Sequence, residues 1–509
     1  MVSQRTQNTV AESSEMLSFR RTIGEIQDLS SIQGLLGWDL ETMMPKKGAI
    51  IRARQMATLT RLIHEKTTAP ELAELLKILE KQSGLDIIPQ AMVREFSREY
   101  ERAAKIPTDL MEEFVQLTAE AHHVWIEARE KKQFSIFQPL LCKIVELNRK
   151  IADIVGYEGS PYNALLDEYE VGLTTEQLEP LFASLKTSLI SLLKRIQNSK
   201  ASVDTSFLNR HYEAEKQLQF LKFILTEMGF DFDAGRLDLS AHPFSSGTGY
   251  TDVRMTTRVS ETDLFSALSS SMHEAGHGMY SQGVNPQLHR TNLSDGTSLG
   301  IHESQSRMWE NIIGRSHAFW RYYYPKLQGL YHPQLDDVSF DRFYKAINTV
   351  QPSFIRVEAD EVTYNLHILI RYEIEKAIIE GDLPVSDIPS AWNAKYQEYL
   401  GVTPPDDAIG CLQDVHWSHG SFGYFPTYTL GNLYSAQFFQ QATLDIPGLE
   451  AKIANGDLKT LKRWLNEQIH WVGKSERPAQ IVQRVCNEPL NAQYFVDYLE
   501  KKYSQIYGL

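Results

Sequence analysis

Cysteine is scarce in this 509-residue chain: three residues, Cys142, Cys411 and Cys486, odd in number and far apart. They provide neither a disulfide framework nor a cysteine zinc spacing, and they suit a reducing compartment. Long apolar runs are missing too. No uncharged stretch reaches the ~18 residues that a membrane-spanning helix needs, so no membrane partner is expected. The opening MVSQRTQNTVAESSEM lacks a basic start, an apolar block and a small-residue cleavage pattern, and therefore does not read as a secretory signal. The expected setting is cytoplasmic. Positive charge is the minority sign, 51 basic against 65 acidic side chains with a formal charge of −14, and such a surface repels polyanions. Nucleic acid is excluded as an expected partner.

What is present is helix-forming sequence. At 42 % hydrophobic and 23 % charged, the chain can bury a large core. Residues from about 15 to 235 read as successive amphipathic helices. In LEPLFASLKTSLISLLKRI, for instance, Leu178, Leu181, Leu185, Leu189 and Leu193 recur at helical spacing as a core stripe. Breaks carrying proline, glycine or both fall at MMPKKG (43–48), KIPTD (105–109) and YEGSPYN (157–163). No internal repeat and no low-complexity segment interrupts this texture. It changes at about 236–260. There DVRMTTRV alternates, with Val253, Met255, Thr257 and Val259 on one face and Asp252, Arg254, Thr256 and Arg258 on the other, the period of a half-buried strand. Helices resume at about 261–509, with a Gly- and aromatic-rich loop expected at 417–431. The reading is a mainly α protein forming a single body over 1–509: a helical layer (about 1–235), one small β-sheet (about 236–260), then the site and C-terminal helices.

The stretch with the most chemistry is SSSMHEAGHGMY (269–280). Leu264, Leu268, Met272, Ala275 and Met279 form the apolar face of a helix expected to stop near Gly283. His273 and His277, four apart, project from one side of it. Two imidazoles so placed can hold a zinc ion at ~2.0–2.1 Å each. Glu274 is rotated off that line but stays close enough to take a proton from water, which the ion acidifies to a pKa of about 7. An ordinary helix with two histidines is the plain alternative. A catalytic site needs a third protein ligand and an open fourth position. The downstream stretch IHESQSRMWENIIG reads as a second helix through Ile301, Ser304, Met308 and Ile312, with Glu303 near its start as the favoured third ligand. Glu310, seven residues on, is the rival. Its preferred role is a carboxylate accepting the free N–H of a liganding histidine. His302 faces away from Glu303 and is the weaker candidate.

Six motifs then resemble, in order, those of the carboxypeptidase Taq family of zinc metallopeptidases. They are HPF (242–244), DVRMT (252–256), HEAGH (273–277), HES (302–304), IRVEAD (355–360) and GCLQDVHW (410–417). LLGWDLETMMPKKG near the start and HWSHGSFGYFPTYTLGN near the end agree as well, so the likeness runs from residue 35 to residue 432. One departure is EYEVGLT (168–174), where a proline is expected at Val171; that segment is read as far from the metal. The resemblance implies His273, His277 and Glu303 as metal ligands and Glu274 as general base and acid. It also implies one Zn²⁺ per subunit, a helical saddle-like molecule with a deep central groove, a homodimer, and peptides with a free C-terminus as substrates. Co²⁺ or Mn²⁺ are candidate replacements for the zinc.

A carboxypeptidase must also grip a terminal carboxylate, which a guanidinium fork does best. Arg356 is the first candidate, with pairing to Asp360 along a helix as its structural alternative. Arg254 is the second, with a network shared with Asp252 and Thr256 as the alternative. For the oxyanion donor, HWSHGSFGYFPTY offers His416, His419, Tyr424 and Tyr428. His416 and Tyr424 are favoured and Tyr428 is in reserve, with Gln413 and Asp414 expected to orient His416. His242 is expected to be a satisfied structural histidine, and Trp38 and Asp39 to anchor the first helical layer. An oligopeptidase that cuts internally, or a non-catalytic scaffold holding structural zinc, are the competing functions.

Overall fold

The computed structural model describes residues 12–509, so the sequence reading of the first eleven residues lies outside the described part. Among the described residues there are twenty α-helices and one three-stranded sheet. The mainly α architecture with a single small sheet is therefore the observed one. The chain breaks expected from proline and glycine all fall between helices: Ser14–Glu41 gives way to Ala49–Thr67, Ile87–Lys105 to Thr108–Lys131, and Phe134–Val155 to Tyr162–Leu166. The leucine stripe at 178–193 lies on the helix Thr175–Gln197, with Leu178, Leu185, Leu189 and Leu193 buried and Leu181 half-buried.

The apolar interior has two parts. A small one packs the first helix (Met16, Phe19, Ile23) against Leu72, Leu76 and Phe96, and reaches Leu293 beside the site. The large one holds nearly everything from Leu117 to Tyr507. The helix Ala49–Thr67 buries none of its residues and is tied to the first helix by Arg52, whose Nη2 donates to Asp39 Oδ2 at 2.7 Å. Asp39 thus anchors the helical layer as expected from the sequence. The Trp38 ring packs against two guanidiniums, Arg236 at 5.0 Å and Arg254 at 4.6 Å, and joins that layer to the sheet.

The sheet positions the site. Strands β1 (Gly235–Leu239), β2 (Ser245–Gly249) and β3 (Asp252–Thr257) stand in the order β1-β3-β2, β3 running parallel to β1 and antiparallel to β2. Val253, Met255 and Thr257 turn into the core, where Thr257 Oγ1 accepts from Ser271 Oγ at 2.8 Å. That bond seats the helix Ser266–Gly283 on the sheet. Thr256 is buried as well, against strict alternation. The turn between β1 and β2 covers it, with Ser240 Oγ and the Phe244 N–H both bonded to its Oγ1. His242, expected to be a satisfied structural histidine, lies exposed on the same turn. An exposed turn already lets its polar ring meet water.

Candidate active site

The helix Ser266–Gly283 starts where Asp263 Oδ1 accepts the N–H groups of Phe265 and Ser266, both at 2.9 Å. Leu268, Met272, Ala275 and Met279 bury its apolar face. It ends at Gly283, where a Cβ would lie 2.5 Å from His470 Nδ1. His273 and His277 leave the same side of this helix, as their spacing requires.

The second helix, Leu299–Arg307, begins with two caps. Ser298 Oγ accepts the N–H of Ile301 at 3.1 Å, and Glu170 Oε2 accepts the N–H of Gly300 at 3.0 Å. It lies between two glycines that allow close backbone approach. A Cβ on Gly276 would come within 2.5 Å of Ser306 Cα, and one on Gly431 within 2.5 Å of Glu303 Cγ. This squeeze drives Glu303 onto the histidines. Beyond Arg307 the helix widens into a π-turn over Met308–Ile313, a local irregularity often found at functional sites. On it, Glu310 Oε2 reaches His273 Nδ1 at 2.8 Å.

His273, His277 and Glu303 each bring one ligand atom into a cluster within 4.8 Å of one another. Glu303 Oε2 stands 3.6 Å from His273 Nε2 and 3.4 Å from His277 Nε2. Bonds of about 2.0–2.2 Å in a tetrahedron separate ligand atoms by roughly 3.3–3.6 Å. The donor set and its spacing therefore fit a divalent cation. The cluster opens on a groove with a cavity of about 890 Å³, walled by the first helix, β2, and Tyr424 and Tyr428.

Three carboxylates crowd this site, and Arg307 balances them. Its Nε donates to Glu303 Oε1 at 2.7 Å, its Nη1 to Glu310 Oε2 at 3.2 Å, and its guanidinium lies 4.1 Å from the Tyr364 ring. Burial penalises the Glu303 charge, but Arg307 and the two histidines outweigh it and hold the carboxyl far below the usual range. Glu310 is likewise brought down to about 2, against burial, by Arg307 and His273. Burial also works against charge on His273, yet Glu303 and Glu310 lift it to about 9. Glu274 goes the other way. Burial, with Glu303 and Glu310 adding to it, pushes its carboxyl up to about 7, near the value suited to a base at neutral pH.

The opposite wall rests on Asp414. Its Oδ1 accepts from Arg356 Nη2 at 2.7 Å and Nε at 3.0 Å, and its Oδ2 from Arg371 Nε at 2.6 Å. Arg356 Nη1 donates to Tyr364 Oη at 3.0 Å, and the guanidinium lies 4.9 Å from the Tyr428 ring. The fork of Arg356 is thus engaged within the protein. Its expected alternative pairing with Asp360 does not form. Residues 356–358 make only a short 3₁₀ turn, and Asp360 instead accepts the N–H groups of Gln351, Val362 and Thr363. Nor do Gln413 and Asp414 bond to His416: Gln413 accepts the Arg356 N–H and donates to Phe354 O. His416 instead packs 4.4 Å from Phe425, with Nε2 3.4 Å from Tyr428 Oη. Burial drives it down to about 3, with Arg356 and Arg371 adding to that, and keeps the ring neutral. Burial raises both Tyr424 and Tyr428, so their hydroxyls stay protonated donors.

The nine sequence candidates fall into groups. His273, Glu274, His277 and Glu303 come together on the motif side, and Tyr424 and Tyr428 face the same groove. Arg356 and His416 stand behind the tyrosines. Arg254 is held beneath Trp38 by its own neighbour Asp252, at 2.8 and 3.0 Å. His419 is exposed and turns to His122 at 3.2 Å. The expected loop at 417–431 is shorter than read. It spans Gly420–Phe425, and Pro426 starts a helix reaching Asp445. That helix is buried nearly all round, polar Thr427, Thr429, Asn432, Ser435 and Gln437 included, so no polar face marks its period.

Sequence reasoning missed Arg307, although its place four residues after Glu303 and three before Glu310 was the available signal. It also set the 168–174 segment far from the site. In fact Tyr169 packs on Tyr424 with ring centroids 5.2 Å apart, and the fully buried Glu170 caps the ligand helix while accepting from Tyr434 Oη at 2.9 Å. Chain separation hid both contacts.

The family model described as carboxypeptidase Taq (M32) metallopeptidase matches residues 18–503. Carboxypeptidase 1 of Bacillus subtilis is 44 % identical over 485 residues, covering 95 % of this chain and 97 % of that one. Thermostable carboxypeptidase 1 of Thermus thermophilus is 44 % identical over 508 residues, covering 97 % and 98 %. The crystal structure of the M32 carboxypeptidase from Deinococcus radiodurans R1 superposes with a TM-score of 0.96 at 38 % identity, covering 98 % of this chain and all (100 %) of that one. With helices, groove and cation-fitting cluster in the same chain, these likenesses lead to one conclusion: the chain belongs to the carboxypeptidase Taq (M32) family and is a metallocarboxypeptidase, a hydrolase.

Proposed function

We propose that this metallocarboxypeptidase is zinc-dependent, with His273, His277 and Glu303 holding the ion and Glu274 as general base, and that it shortens peptides from a free C-terminus. The observation that carries this reading is the spacing of Glu303 Oε2 from the two Nε2 atoms, 3.6 and 3.4 Å, with a buried Glu274 beside them. When bound there, zinc supplies a Lewis acid that acidifies water and polarises the scissile carbonyl. Glu274 takes the proton of the attacking water on a carboxylate oxygen and returns it to the leaving nitrogen. The Tyr424 hydroxyl donates to the developing oxyanion. Arg356, its fork engaged, acts on the substrate through Tyr428, whose ring it underlies, and His416 steadies the Tyr428 hydroxyl. Arg254 holds the sheet to the first helix rather than touching substrate.

Co²⁺ or Mn²⁺ would substitute through the same nitrogen and oxygen donors. A cytoplasmic setting is supported by three free cysteines, and among the described residues no helix is long and apolar enough to cross a membrane. A homodimer completes the proposal, on the family likeness alone. The test is mass spectrometry of a mixed peptide pool, each peptide also supplied as its C-terminal amide. Ladders shortened from the C-terminus, lost with a chelator and restored by zinc, are expected. Equal cleavage of the amides would instead identify an internal-cutting oligopeptidase.

A further inference from the structure

The two imidazoles of the motif helix are held differently on their far sides. His273 Nδ1 meets a carboxylate, Glu310 Oε2, at 2.8 Å. His277 Nδ1 meets another imidazole, His302 Nδ1, at 2.6 Å. Two ring nitrogens that close share one proton, so one carries N–H and the other offers a lone pair. Since His277 turns Nε2 toward Glu303 Oε2, a bound cation takes the Nε2 lone pair and leaves the hydrogen on Nδ1. His302 Nδ1 must then be bare. Its own hydrogen sits on Nε2, which faces Asp295 Oδ1 at 3.9 Å.

The surroundings keep His302 in that pose. Tyr280 packs on its ring with centroids 4.9 Å apart, and a Cβ on Gly296 would lie only 2.7 Å from its Cδ2. Asp295 is steadied from outside by Lys474 Nζ at 3.9 Å. A carboxylate at this position would also fix the tautomer, but Glu274, Glu303 and Glu310 already crowd the pocket. A neutral imidazole accepts the hydrogen without adding a fourth negative charge.

We propose that His302 is a positioning residue for the metal: as a neutral acceptor backed by Asp295, it fixes the tautomer and ring plane of His277. This rests on the metal reading above. Partners of this kind typically govern ~10–100-fold in metal affinity. The zinc-loaded enzyme is titrated with a competing chelator. His302→Leu is expected to hold zinc ~10–100-fold more weakly than wild type. His302→Asn, whose Oδ1 replaces the Nδ1 acceptor, is expected to stay near the wild-type value. Equal weakening in both variants, or none in His302→Leu, overturns the proposal.

Should His302→Leu fail to fold, nitrogen NMR of the wild-type zinc enzyme with labelled histidine rings decides. A single ring proton coupled to nitrogens of both His277 and His302 is expected, and a hydrogen bound to His302 Nδ1 with His277 Nδ1 bare overturns it. A wild type that takes up no zinc overturns both this inference and the metal reading. A wild type that binds zinc beside an indifferent His302→Leu overturns only the role of His302.

Discussion

The two sides of the groove are built by opposite means. The motif side takes its groups from two neighbouring helices, and two of its carboxylates lean on one guanidinium a few residues away: Glu303 and Glu310, both on Arg307. The tyrosine side takes its order from a buried charge cluster assembled from distant parts of the chain, Arg356 and Arg371 on Asp414. The first arrangement concentrates charge where chemistry happens. The second keeps charge one layer back and presents neutral hydroxyls. The lesson is that a hydrolase can grip a cation with ionised groups and still offer the oxyanion uncharged donors.

Variants that strike one side only sharpen this contrast. The largest effect is expected on the motif side, where Glu274→Gln should lower kcat by about 10²–10⁴-fold while zinc content, read by elemental analysis, stays unchanged. A variant that cleaves normally would remove Glu274 from the mechanism. Its carboxyl, raised to about 7, must lose its proton to act as a base, so wild-type kcat/KM should fall as pH drops through that ionisation. A neighbouring cation favours the charged form, which sets the midpoint below that value in the zinc enzyme. Glu274→Gln should lose this acid limb.

Next comes Tyr424→Phe, expected to cost about 10²–10³-fold in kcat with KM little changed, the mark of a donor used in the transition state. A change in KM alone would turn Tyr424 into a binding group. The smallest effect on turnover is expected from Asp414→Asn. It leaves two buried guanidiniums without their shared counter-charge, and should cost about 3–5 kcal/mol in denaturant unfolding. Zinc affinity should not move. Were zinc to be lost as well, the two sides would not be independent, and the contrast drawn here would fail.

The difference between the sides also explains what could be read beforehand. His273, Glu274 and His277 sit within five residues, where helical geometry alone fixes their relation. Glu303 and Glu310 were harder to separate, because seven residues return to nearly one face of a regular helix and the π-turn that directs Glu310 to His273 Nδ1 leaves no sequence signal. The sheet was legible from the alternation in 252–257. The tyrosine side was not. Asp414 meets Arg356 across 58 positions and Arg371 across 43, and only the folded chain shows that the fork of Arg356 is already engaged. The Pro426–Asp445 helix escaped for a different reason. It is enclosed on nearly every side, so no polar stripe marks its period.

The bare α-carbons of Gly276 and Gly431 have a consequence for how the enzyme can change. Metal–ligand distances tolerate only about ±0.2 Å, whereas a methyl group on either glycine would meet its neighbour at 2.5 Å, well inside ordinary carbon contact. On the proposed metal reading, adding a single carbon at either position would wedge the Leu299–Arg307 helix outward and carry Glu303 out of range. Two hydrogens, one on each flank, thus set the reach of the carboxylate as firmly as the carboxylate's own side chain does.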